Sequence, residues 1–179
     1  HLLLCGGEAL AELKYQSGDL SLLNIASVEH WPDPGPAELR ALACRELPPG
    51  QVDAALLSRL ELECGGHPAL IDEALRWHAA NTPWSGPQLG ECLAGSVRLW
   101  EGFVPLLGEA EARARIQSWL AQAVLGRAQP YLIDRLLRRL FWANLVTARP
   151  GVDGLQLEWR CEAVRRAGRQ IIAAWSDAG

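Results

Sequence analysis

Methionine is missing from this 179-residue chain, lysine occurs only at Lys14, and phenylalanine and tyrosine occur twice each. A chain that begins at His1 and holds no methionine is expected to be an excised piece of a longer protein or a chain trimmed at its N-terminus. Basic charge is almost wholly arginine, a bias expected of a GC-rich genome rather than of a function. No apolar run approaches the roughly 20 residues of a membrane-spanning helix. The longest, Leu93 to Leu107, is cut by Arg98, Glu101 and Pro105. No basic stretch precedes an apolar one at the start, so neither a secretory signal nor membrane attachment is expected. Cys5, Cys44, Cys64, Cys92 and Cys161 are odd in number and widely spaced, which argues against a disulfide framework. They are expected to be reduced core thiols of a cytoplasmic protein.

Signatures of catalysis are also missing. The chain has no Gly-x-x-x-x-Gly-Lys-Ser/Thr phosphate loop, no Gly-x-Ser-x-Gly, no His-Glu-x-x-His and no Cys-x-x-Cys. Gly6-Gly7 follows an apolar run, but Glu8 would repel a phosphate there. His30, His67 and His78 have no nucleophile beside them in sequence. Cys64 and His67 offer two metal ligands without a second close pair, so no zinc site is expected. No catalytic residue is assigned, and this chain by itself is not expected to be an enzyme.

What is present suits one large domain or two small ones: 49% of residues are hydrophobic, 21% are charged, and the net charge is -4. That charge is unevenly placed. Residues 1–126 carry 8 basic and 16 acidic side chains, whereas residues 127–179 carry 9 arginines against 5 acids, so an acidic chain has a basic last third. Eight tryptophans are many for this length, and Trp84 and Trp100 are candidates for exposed anchors of a protein partner.

Apolar spacing organises the chain. Leu2–Cys5 and 25–31 read as buried strands, with a short helix over 8–15 between them. Pro36 suits a first helical position, followed by Leu39 and Leu42. Val52, Leu56 and Leu60 recur every four residues, which predicts a helix over 51–63. Pro68 opens another with Leu70, Ile71, Leu75 and Trp77. Residues 81–88 read as a linker. Further helices are expected near 88–101 and 109–125, the second with Ala123 and Val124 inward, and from Pro130. A hairpin of 145–149 with 155–159 follows, and then a closing helix with Val164, Gly168, Ile171, Ile172 and Trp175 on one face. The expected architecture is mainly α with a small α/β remnant: a helical lid followed by a winged-helix domain.

The most informative short motif is Gly65-Gly66-His67-Pro68. Free backbone N–H groups at a helix start favour an anion. A plain helix–helix turn, with glycine as C-cap and proline at the first helical position, needs no ligand. Local physics alone favours that plain turn.

Taken in order, these elements resemble the C-terminal half of a P-loop ATPase of the AAA+/STAND type. There a Gly-x-Pro motif opens a lid helix beside the nucleotide, and Gly66, His67 and Pro68 match it. The resemblance implies that residues 1–35 end the ATPase core, with Cys5-Gly6-Gly7 at the sensor-1 position. It makes 36–87 the lid and 88–179 a winged-helix-like domain. The Walker segments have no match here and are expected upstream. ATP or ADP would be held by the intact parent protein, with none tightly bound to this chain. The implied partners are the upstream nucleotide-binding domain and an effector protein.

A second likeness covers only 130–172, which is similar to the recognition helix, wing and closing helix of MarR-type regulators. On that reading Arg135, Arg138, Arg139 and Arg149 contact DNA, and the chain is a winged-helix DNA-binding regulator.

Overall fold

Proline and short acidic side chains start the first helices. The computed structural model describes residues 32–81, 86–128 and 134–177. The elements expected within 1–31, the start of the helix at Pro130, and Trp84 lie outside the described residues. Helix α1 (Pro36–Glu46) begins at a proline, and the Glu38 carboxylate accepts the Gly35 amide at 2.9 Å. Helix α2 (Ala54–Cys64) is capped by Asp53, which accepts the Leu56 amide at 2.7 Å. Helix α3 (Pro68–Ala80) again starts at a proline and buries Leu70, Ile71, Ala74 and Leu75.

Where one helix is expected over 88–101 there are two, α4 (Gly86–Ala94) and α5 (Val97–Phe103). The break falls at Gly95-Ser96. Ser96 is buried and its hydroxyl donates to Glu73 of α3 at 2.6 Å, which draws the chain out of helical register. Residues 86–88, expected in a linker, form the first turn of α4, so the division expected after residue 87 falls inside that helix.

Helix α6 (Ala110–Leu120) stops short of the expected residue 125. Residues 124–127 form strand β1 instead, and Ala123 and Val124 face solvent rather than the core. The cause is pairing: β1 lies antiparallel to β3 (Gly154–Trp159). Helix α7 (Arg135–Trp142) leads into β2 (Val146–Gly151), which pairs with β3 from Val146↔Trp159 to Gly151↔Gly154. The expected hairpin is therefore present, and the sheet order is β1-β3-β2.

The closing helix α8 (Glu162–Asp177) packs against α2, α4, α5, α6 and β3. It carries Val164, Ala167, Ile171 and Ile172 into the core. Gly168 lies so close to Leu120 and Phe103 that a Cβ would come within 2.9 Å of each. Trp175, expected on the inward face, is 39% exposed. Of the cysteines, Cys64 and Cys161 are buried free thiols, Cys92 is half-buried, and Cys44 is exposed rather than in the core. The described residues are mainly helical with one three-stranded antiparallel sheet.

Candidate functional site

The Gly65–Pro68 turn is built by its two glycines. Gly65 caps α2 in the left-handed region (φ 55°), and its amide donates to the Glu61 carbonyl at 3.0 Å. Gly66 follows at φ 78°. The His67 amide then donates to the Cys64 carbonyl at 2.9 Å, and the His67 carbonyl accepts the Ile71 amide at 3.0 Å to start α3. The N-cap residue of α3, His67, makes no side-chain cap bond.

Both glycines are also covered. A Cβ on Gly65 would collide with the carbonyl of Arg160, between β3 and α8. A Cβ on Gly66 would lie 2.8 Å from the Asp33 carboxyl carbon. The turn is thus pressed between the segment entering α1 and the C-terminal sheet module. Glycine is required there by conformation and by contact, with no ligand needed to explain it.

Arg160 joins these parts. Its Nη1 donates to Asp33 Oδ1 at 2.7 Å and to the Gly65 carbonyl at 3.1 Å, and its Nε donates to the Asn144 carbonyl at 3.1 Å. Burial, together with the Arg160 charge, pushes the His67 imidazole down to about 4, against the weaker opposing pull of its own backbone and Asp33. His67 is therefore neutral near pH 7, and its buried Nδ1 has no hydrogen-bond partner among the described residues. A neutral imidazole contributes a hydrogen bond to a ligand rather than a charge.

Beside Gly66 opens a cleft of about 220 Å³ walled by Pro34, Leu39, Leu57 and Ile71, with Arg40 and Glu61 as its charged groups. Among the described residues, no group of three or more His, Cys, Asp or Glu is placed to hold a metal ion.

The arginines singled out for DNA are not one free patch. Arg135, at the first position of α7, is exposed. Arg138 lies with its guanidinium carbon 5.4 Å from the centre of the Trp142 ring, and Arg139 donates to the Pro105 carbonyl at 3.3 Å. Arg149 is exposed on β2, 3.9 Å from Glu158 across the sheet. Arg135 and Arg139 share a second cleft of about 270 Å³ with Arg115, Asp134, Glu109 and Glu111, so the basic groups there meet acids.

Sequence reasoning finds the turn but misses Asp33 and Arg160. Asp33 stands between Pro32 and Pro34, and Arg160 between Trp159 and Cys161. A charge set among stiff or apolar residues is the only local signal that either has a partner. The chain matches no family model, and neither a curated protein nor a solved structure matches it.

Proposed function

We propose that this chain is the non-catalytic C-terminal portion of a nucleotide-dependent switch ATPase of the AAA+/STAND type. Residues 36–87, with helices α1–α3, belong to its lid, and residues 88–179, from within α4 to α8, form a winged-helix-like domain. The wing reading is supported by the helix ahead of the β2–β3 hairpin, the helix after it, and the strand order β1-β3-β2. Gly66, His67 and Pro68 touch the nucleotide, and its state passes from that turn to the domain packed on it. ATP and ADP are held by the intact parent only, through its upstream nucleotide-binding domain, and an effector protein receives the signal.

The observation that carries this reading is the cleft lined by Gly66, with His67 and Pro68 following it in the turn outside the cleft lining. At about 220 Å³ it is smaller than a complete small-molecule site of roughly 300–1,000 Å³. It has room for part of a nucleotide, as a lid supplying one wall requires. Asp33, lying over Gly66, disfavours a phosphate at that point, so the uncharged part of the ligand belongs there. The test is release of a fluorescent ADP from the intact protein with His67 and Pro68 both replaced by alanine. Release should change several-fold, and an unchanged rate overturns the reading.

The DNA-binding alternative draws on the exposure of Arg135 and Arg149. Duplex binding measured at 50 and 200 mM salt decides it. Two or more phosphate contacts would cost about tenfold or more in affinity across that range. The switch reading expects little or no binding at either salt.

A further inference from the structure

Arg160 lies where three separate chain segments meet. Beyond its bonds to Asp33, the Gly65 carbonyl and the Asn144 carbonyl, its own amide donates to the Leu145 carbonyl at 3.0 Å. It therefore holds the entry to α1, the α2–α3 turn and the α7–β2 turn at once. Two of these pass through left-handed residues, Gly65 at φ 55° and Asn144 at φ 61°. Such a conformation is uncommon for a residue other than glycine and persists where neighbours enforce it.

The pair is asymmetric. The Arg160 side chain is 8% exposed and that of Asp33 is 43% exposed. The Asp33 side chain is far more open to water than that of Arg160, so the acid can leave while the arginine cannot stay behind uncompensated. Asp33 is set between Pro32 and Pro34, and Pro36 opens α1. Prolines fix the backbone on either side, so Asp33 moves with its segment rather than by a local twist.

We propose that the Arg160–Asp33 pair is a latch. When the 32–35 segment withdraws, Arg160 turns towards water and releases the Gly65 and Asn144 carbonyls together. A displacement at the entry to α1 is thereby transmitted to the hairpin module. No nucleotide is needed for the latch to act.

Amide hydrogen exchange on the whole chain tests it, with far-UV circular dichroism to confirm folding. In Asp33→Asn, exchange at the His67, Leu145 and Arg160 amides should rise together by about tenfold, while Leu75 within α3 stays within about twofold. In an Arg160→Met background the same Asp33→Asn change should add nothing. A rise confined to residues 33–38, no rise at all, or the same increment in the Arg160→Met background would each overturn the latch. If Asp33→Asn does not fold, Asp33→Glu decides: protection at the three amides must be retained, and its loss counts against the proposal.

Discussion

The indole N–H of Trp159, the last residue of β3, donates to the carbonyl of Trp119 in α6 at 3.0 Å. Its ring also lies 6.1 Å from that of Phe103, so one side chain ties the sheet to both α5 and α6. Trp159→Phe keeps most of the apolar contact and loses the hydrogen bond, which should cost about 1 kcal/mol. Trp159→Ala empties the site and should cost about 3–5 kcal/mol. Urea unfolding of the two variants measures the gap, and equal losses would mean that the packing of the ring adds nothing beyond the hydrogen bond that both variants lose.

Gly65 and Gly50 make a contrasting pair. Gly65 is left-handed and its Cβ position is filled by the Arg160 carbonyl, whereas no described residue lies within 4 Å of a Cβ on Gly50. Gly65→Ala should cost about 2 kcal/mol or more, from backbone strain with overpacking added. Gly50→Ala should be neutral or stabilise by up to about 1 kcal/mol, because it removes freedom from the unfolded chain. Thermal unfolding of both proteins checks the ordering.

The parts of the fold legible in the sequence are those fixed by local rules. The spacing of Leu56 and Leu60, proline at a helix start, and the Pro/Gly/Asp turn of the hairpin all act within a few residues. The misses are long-range. Gly95-Ser96 becomes a helix break through a bond from Ser96 to Glu73, 23 positions away. Strand β1 has only four residues and an exposed surface, so its partner β3 defines it rather than its own pattern. The candidate site divides the same way. The Gly-Gly-His-Pro turn is visible in the sequence, but the Asp33–Arg160 pair that covers it spans 127 positions.

Asp134 does two tasks at the start of α7. One carboxylate oxygen accepts the Leu136 and Leu137 amides at 2.9 and 3.0 Å, and the other pairs with Arg115. Partial burial raises its pKa, but the Arg115 bond and the two amides outweigh this and hold it below the usual aspartate value. Asp134→Asn keeps an oxygen for the cap and should cost less than about 1 kcal/mol, since a partly exposed ion pair contributes little. Asp134→Ala removes the cap as well and should cost about 1–2 kcal/mol. Equal losses would assign the whole effect to the pairing with Arg115.

His67 should give the chain an acid-sensitive component of stability. Its pKa falls from 6.5 unfolded to about 4 folded, chiefly through burial and then through Arg160. Between those values the unfolded chain binds the proton and the folded chain does not, so stability rises with pH across that window. The contribution is complete above pH 6.5. It is lost progressively as pH falls to 4, to a total of about 3 kcal/mol at 1.36 kcal/mol per unit. His67→Asn keeps a favourable residue at the start of α3 and removes the titration. Urea midpoints measured from pH 7 to pH 4 should fall more steeply for the parent than for the variant. Carboxylates and His78 are common to both proteins and cancel in the difference. Parallel curves would mean that His67 is solvated in the folded chain and that the turn beneath Arg160 opens to water.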